Sequence, residues 1–127
     1  MYLIDTSVWV DFLRGKETPK VRFLEALLEE GEAYLCEITY TEICQGAKTR
    51  RQFDKYSEYF SRLPFLPLAP EWHKEAARLG FETRAQGFQP FIADLVISLT
   101  ALSHKATLVT EDKDFNVYRE LFGLALA

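Results

Sequence analysis

The segment "PFIADLVISLTALSH", residues 90–104, constrains this chain more than any other. A proline in the first turn suits a helix start, and the residues after it are apolar on nearly every side. Such a helix has to be buried over most of its circumference, so the chain must wrap other elements around it. One acid, Asp94, lies inside the segment, and no Lys or Arg stands between Arg84 and Lys105. A carboxylate carried into apolar surroundings without a cation is costly or keeps its proton. A Lys or Arg distant in sequence, or a metal ion, has to compensate.

The remaining pattern supplies the wrapping. Tyr2 to Ile4, Ala33 to Cys36 and "ATLVT" read as strands, with Phe65 to Leu68 and "GLALA" as edge strands; the prolines of "LPFLPLAP" keep that segment at an edge. Between them the spacing predicts helices from Ser7, as N-cap, to Arg14, from Pro19 to Gly31, from Thr39 to Ala47, and from Thr49 to Leu63. Further helices run from Glu71 to Gln86 and from an Asp114 cap to Phe122. Strands alternating with helices predict an α/β fold, with a mostly parallel sheet of four to five strands and helices on both faces. Residues 1–127 form one domain on this reading, with no repeat or linker.

Composition narrows the class. At 48% hydrophobic and 27% charged, the chain has the balance of an ordinary soluble globule. No leader is expected, because Asp5 interrupts the N-terminus before an apolar stretch can form. The longest apolar run is shorter than the ~18 residues a membrane span needs. Cys36 and Cys44 lack metal-ligand or CxxC spacing, which predicts reduced packing cysteines and a cytoplasmic protein. A net charge of −4 does not announce a nucleic-acid partner by bulk electrostatics, although divalent cations reverse the local sign where acids cluster.

The acids fall where a site would be. In open α/β sheets ligands bind beyond the carboxyl ends of the strands. Asp5 follows the first strand, Glu42 lies in the helix after the second, and Asp112 and Asp114 follow "LVT". Each has a structural alternative. Asp5 can cap a helix, Thr39 and Glu42 can make a capping box in "TYTE", Asp114 can be an N-cap, and Asp112 can close an Asx turn. Asp94 is harder to explain that way, since only a distant Arg or Lys would serve in place of a metal. Acids gathered on one rim repel unless cations share the pocket, and oxygen-only donors favour Mg²⁺ or Mn²⁺. Such an ion, with waters left on it, is suited to phosphodiester hydrolysis.

Taken in order, "LIDTSVWVDFL", "TYTEI", "ADLVIS" and "LVTEDKDF" resemble the PIN-domain ribonucleases, and among them the VapC-type toxins of bacterial and archaeal toxin–antitoxin pairs, over essentially the whole chain. The resemblance implies a three-layer α/β/α sandwich. It implies Asp5, Glu42 and Asp94 as the principal metal-site acids, Asp112 as the fourth and Asp114 as an assistant. Thr6 or Ser7 and Thr110 match hydroxyls that orient the carboxylates. The implied activity is Mg²⁺- or Mn²⁺-dependent endonucleolytic hydrolysis of tRNA, rRNA or mRNA by a metal-activated water. The implied partners are a second copy of the chain and a small antitoxin that fills a groove and inserts near the acids. One departure is "LVISLTAL" after Asp94, where relatives more often carry small Ala residues.

The RNA backbone also needs cations. Arg14, Lys16, Lys48, Arg50, Arg51 and Arg84 are the candidates, "KTRR" foremost, each with a solvated surface as the alternative. The aromatic stripe Phe53, Tyr56, Tyr59 and Phe60 reads mainly as core, with part of it available to line an antitoxin groove. A receiver domain fits poorly, since Thr6 and Ser7 follow Asp5 where it needs a second acid. A haloacid-dehalogenase-type phosphatase fits poorly because Ser7 stands where it needs an Asp. A non-catalytic RNA- or protein-binding α/β module and a Mg²⁺-dependent DNA nuclease remain open as alternatives.

Overall fold

A computed structural model describes residues 1–127. Its centre is a parallel sheet of β1 (Tyr2–Ile4), β2 (Ala33–Tyr34) and β3 (Thr107–Val109) in the order β2-β1-β3. Tyr2 lies opposite Ala33 and Thr107, and Ile4 opposite Val109. Alternation along the strands then sends Leu3 and Leu108 to one face and Ile4 and Val109 to the other. All four are fully buried, as parallel strands covered on both faces should be.

Helices α1 (Thr6–Leu13), α2 (Pro19–Glu30), α3 (Glu37–Gln45) and α4 (Arg50–Ser61) cover the Ile4 face. They bury Val8, Trp9, Leu24, Leu27, Ile43 and Phe60 against it. Trp9 meets Phe60 and Phe12 edge-on, with ring centroids 4.9 and 5.6 Å apart. Helices α5 (Trp72–Ala85), α6 (Ile92–His104) and α7 (Asn116–Phe122) cover the Leu3 face through Leu79, Leu95, Ile97, Ala101 and Tyr118. The result is the expected helix–sheet–helix sandwich. As expected too, α6 is wrapped: Leu95 to Ser98, Thr100 and Ala101 are all buried.

The sheet is narrower than expected. In place of four to five strands there are three, flanked by single-residue bridges from Leu35 to Phe65 and from Leu108 to Leu126. At the first edge Leu35 donates to the Pro64 carbonyl at 2.9 Å and Leu66 donates to the Leu35 carbonyl at 2.8 Å. Pro64 has no N–H, so the ladder cannot extend before it, and on the other side the partner strand ends where Cys36 caps α3.

Helix starts also differ from expectation. Asp5, not Ser7, is the N-cap of α1. Asp112, not Asp114, caps the short 3-10 turn Lys113–Phe115 that leads into α7, its carboxylate accepting from the Asp114 N–H. The capping box of Thr39 and Glu42 does not form, because α3 begins at Glu37 with Cys36 as its N-cap. Thr39 is instead buried with its hydroxyl 3.2 Å from the Cys36 sulfur. Both cysteines are buried and free, and no helix is long and apolar enough to cross a membrane.

Helices α5 and α6 approach closely at Gly80. A methyl group at Gly80 would lie 3.0 Å from Leu95 Cδ1, so the helices touch where only hydrogen fits comfortably. Leu95 neighbours Asp94, which ties this contact to the acid's position. Gly80→Ala should be nearly neutral in urea denaturation, since the leucine tip can shift and the helix gains propensity. Gly80→Val should cost about 1–3 kcal/mol by overpacking.

Candidate functional site

The strand order reverses at β1, and a crevice at the carboxyl ends of the strands is where open α/β sheets place ligands. The first side chain beyond β1 is Asp5, only 5% exposed. Its N–H donates to the Val109 carbonyl at 2.9 Å, joining the ends of β1 and β3. Its carboxylate Oδ2 accepts from the Ser7 hydroxyl at 2.7 Å, the Thr110 hydroxyl at 2.8 Å and the Ser7 N–H at 3.4 Å. The last of these is the helix cap, so one carboxylate serves both the α1 start and the crevice.

A second tie comes from the neighbouring residue. The Thr6 hydroxyl donates to Glu42 Oε1 at 2.7 Å, holding the α3 acid against the start of α1. On the other side, the Asp112 N–H donates to Thr110 Oγ1 at 3.0 Å and the Glu111 N–H donates to the Ser7 hydroxyl at 3.1 Å. The Asp114 N–H donates to Asp112 Oδ1 at 2.9 Å, the Asx turn read as the structural alternative for Asp112. Each of the predicted hydroxyls therefore bonds an acid or the loop that carries one.

Asp94 enters from the first turn of α6 and is half-buried. Its carboxyl group is pushed up to about 7, by burial first and then by the charges of Asp112, Asp5, Glu42 and Asp114. Every other predicted acid thus acts on Asp94. Tyr118, on α7, feels the same field: burial and then Asp94, Asp114 and Asp112 push its phenol up to about 12. The acids converge electrostatically, yet no three of them are drawn into a ready-made metal cage. All the donors are hard oxygens, the type that takes a divalent cation such as Mg²⁺ or Mn²⁺. The uncompensated charge around Asp94 is what such an ion would relieve.

One cation at this rim escaped the sequence reading. Lys20 Nζ donates to the Thr110 carbonyl and lies 4.0 Å from a Glu111 oxygen. It thereby ties the start of α2 to the loop after β3. A signal was available: Lys20 directly follows the proline that opens α2, and a cation in a first turn opposes the helix dipole. Such a lysine calls for a partner elsewhere.

The predicted cations scatter. Arg14 and Lys48 line a groove of about 380 Å³ with Glu42, Gln52 and Tyr56. Arg51 lies in an adjoining apolar groove with Phe12, Tyr56 and Tyr59. Lys16 pairs with Asp11 at 3.4 Å, and Arg50 pairs with Asp54 at 3.3 Å while covering the Phe53 ring. Arg84 is exposed at the end of α5, in the other helical layer.

This fold recurs among known proteins. The sequence model of the family described as PIN domain matches residues 2–121. A VapC ribonuclease from Mycobacterium bovis is 29% identical, covering 100% of this chain and 98% of its own length. Ribonuclease VapC11 from Mycobacterium tuberculosis matches to the same extent. Among solved structures, VapBC2 from Rickettsia felis bound to a DNA fragment from its promoter superposes with a TM-score of 0.80 at 23% identity, covering 99% of this chain and 96% of that one. FitAcB from Neisseria gonorrhoeae gives 0.77 at 25% identity with the same coverage.

The Asp94 shift has a consequence for stability. A carboxyl whose folded-state value lies above its unfolded one binds more protons when folded, so stability falls as pH rises between the two values. For Asp94 that window runs from the ordinary 3.8 to about 7. Chemical denaturation of the protein in chelator should show stability falling across it. Asp94→Asn should flatten that fall and be more stable at neutral pH by about 1–2 kcal/mol.

Proposed function

Because this chain belongs to the PIN-domain family, we propose that it is a metal-dependent endoribonuclease acting as the toxin of a toxin–antitoxin pair. The observation that carries the reading is a single field of five acids at the sheet's carboxyl rim, with one of them buried and another pushed up to about 7. The ribonuclease names of the full-length relatives support RNA as the substrate.

Asp5, Glu42, Asp94 and Asp112 are the proposed catalytic acids. Asp5, Asp94 and Asp112 would hold Mg²⁺ or Mn²⁺, with Asp114 and Glu42 available to complete the site. When bound, such an ion supplies Lewis-acid stabilisation of the phosphate and acidifies an attacking water. The chain's own residues prepare for that chemistry. Ser7 and Thr110 fix the Asp5 carboxylate by two hydroxyl bonds, and Thr6 fixes Glu42, which orients the attacking water. Lys20 holds the loop that carries Thr110 and Asp112. Thr6, Ser7, Thr110 and Lys20 are positioning residues on this account.

Arg14 and Lys48, beside Glu42, and Arg51 next to them are the proposed contacts for RNA phosphates. Lys16 and Arg50 already have acidic partners, and Arg84 lies in the other layer. The groove of Phe12, Tyr56, Tyr59 and Phe60, where Tyr59 is 41% exposed, is the proposed seat of the antitoxin. The neighbouring VapBC structure supports such a partner. A homodimer and a cytoplasmic location, with Cys36 and Cys44 reduced, complete the proposal, as does a single PIN domain spanning the chain.

Incubation of chelator-treated protein with RNA should give no cleavage until Mg²⁺ or Mn²⁺ is restored. Asp5→Asn and Asp94→Asn should stay inactive with ion present, while folded by circular dichroism. Thr110→Val and Lys20→Met should each lower the rate roughly 10–100-fold, the usual loss when support behind a metal ligand is removed. Cleavage of DNA in place of RNA would favour the DNA-nuclease alternative, and binding of RNA without cleavage the non-catalytic module.

Charge reversal at Lys48 and Arg51 should weaken RNA binding and flatten its salt dependence. On a log–log plot the slope should fall by about 0.7 for each single-strand phosphate no longer neutralised. The same reversal at Arg84 should leave the slope unchanged.

A further inference from the structure

Two aromatic side chains near the acids are left half exposed by the fold. Phe88 is 50% and Phe91 57% exposed, although burying a phenylalanine is worth about 2–3 kcal/mol. Neither hangs loose. Gly87 turns the chain at φ +91, the Phe88 N–H donates to the Thr83 carbonyl at 3.2 Å, and Pro90 restricts the backbone ahead of Phe91. Phe91 is the N-cap of α6, and its carbonyl accepts from the Leu95 N–H at 3.0 Å. The turn "GFQPF" therefore holds both rings outward on a fixed frame.

Both rings line a groove of about 440 Å³ that also contains Asp94, Gln89, Lys113 and Asn116. The groove is thus continuous with the acid cluster, sharing Asp94 with it. We infer that it is a nucleobase subsite, in which Phe91 and Phe88 stack one unpaired base of the strand adjoining the phosphate at the acids. This rests on the ribonuclease reading and deepens it. Stacking is indifferent to base identity because every base has a π-face. The amides of Gln89 and Asn116 each offer a donor and an acceptor to a base edge, and they are the groups that would confer a preference. A paired base keeps its faces inside the helix, so the subsite selects unpaired strand.

The groove's chemistry argues against an apolar protein occupant. Asp94, Asp114 and Glu120 share its wall with a single cation, Lys113. An apolar protein surface sealing it would leave carboxylates buried without partners. A base lying on the phenyl rings leaves those acids in water, and the volume of the groove falls in the single-ligand range of about 300–1,000 Å³.

The test is a cycle between protein and substrate. An unstructured RNA oligonucleotide is cleaved by wild type, Phe91→Ala, Phe91→Trp and Phe88→Ala, and again after an abasic nucleotide is walked past the mapped cleavage point. Phe91→Ala should raise KM about 10-fold, the effect of one base–aromatic stack, with kcat little changed and with Phe91→Trp restoring it. At one position the abasic nucleotide should cost wild type the same factor and cost Phe91→Ala nothing further. Equal losses in both proteins, or an unchanged KM, would overturn the inference while leaving the nuclease reading intact. Should wild type cleave nothing, binding of the same oligonucleotide carrying 2-aminopurine, in Ca²⁺, still decides the matter. Quenching that depends on Phe91 supports the stack, and Phe91-independent fluorescence refutes it. Loss of self-association in Phe91→Ala at unchanged KM would identify a second copy of the chain as the occupant instead.

Discussion

A carboxylate buried at the end of the central strand, without a cation of its own, is the constraint on which the rest of the site depends. Asp5 is tolerated at 5% exposure because three donors converge on one of its oxygens. Those donors come from the start of α1 and the end of β3, so satisfying the acid also joins two strand ends to a helix. Hydrogen bonds of this kind satisfy a carboxylate oxygen that burial has taken away from water. Asp94, lacking comparable donors, is pushed up to about 7 by burial first and then by its acidic neighbours, Asp112 and Asp5 foremost.

The two helical layers contribute differently to that rim. The α1–α4 layer brings Glu42, held by Thr6, and the cations Arg14 and Lys48 that share its groove. The α5–α7 layer brings Asp94 together with Phe88, Phe91 and Tyr118. On the proposed reading one side of the crevice handles phosphates and the other handles a base. Lys20 crosses from α2 to the β3 loop and keeps Thr110 aligned with Asp5. A polar frame of short ties can hold such an arrangement more exactingly than the apolar core beneath it, since hydrogen bonds are directional and hydrophobic contacts are not.

Much of this was legible from residue order. The three strands, every long helix and the burial of α6 follow from apolar spacing, because a 3.6 or 2.0 period has to match a buried face. The acids were legible because Asp94 had no local explanation and the others followed strands. Other features were not. The edge strand at Phe65 shrank to a single bridge because Pro64 lacks a backbone donor, a limit that side-chain character does not show. The capping box in "TYTE" failed because the N-cap of α3 is Cys36, three residues before Thr39, which left Glu42 for the crevice. The six candidate cations looked alike in sequence, yet Lys16 and Arg50 are occupied by acids close to them in the chain.

Sequence alone determined the kind of object this is: an alternating α/β chain with oxygen donors at strand ends and one acid that apolar neighbours could not compensate. Those are properties of local pattern and of charge carried into a core, and they hold wherever the elements finally pack. Tertiary structure decided which groups meet. It brought Lys20 to Thr110 across 90 residues, placed two exposed phenylalanines on the wall beside Asp94, and set the acids' mutual repulsion. Distances between residues far apart in the chain depend on how both faces of the sheet are filled, and no period or spacing along the sequence encodes them.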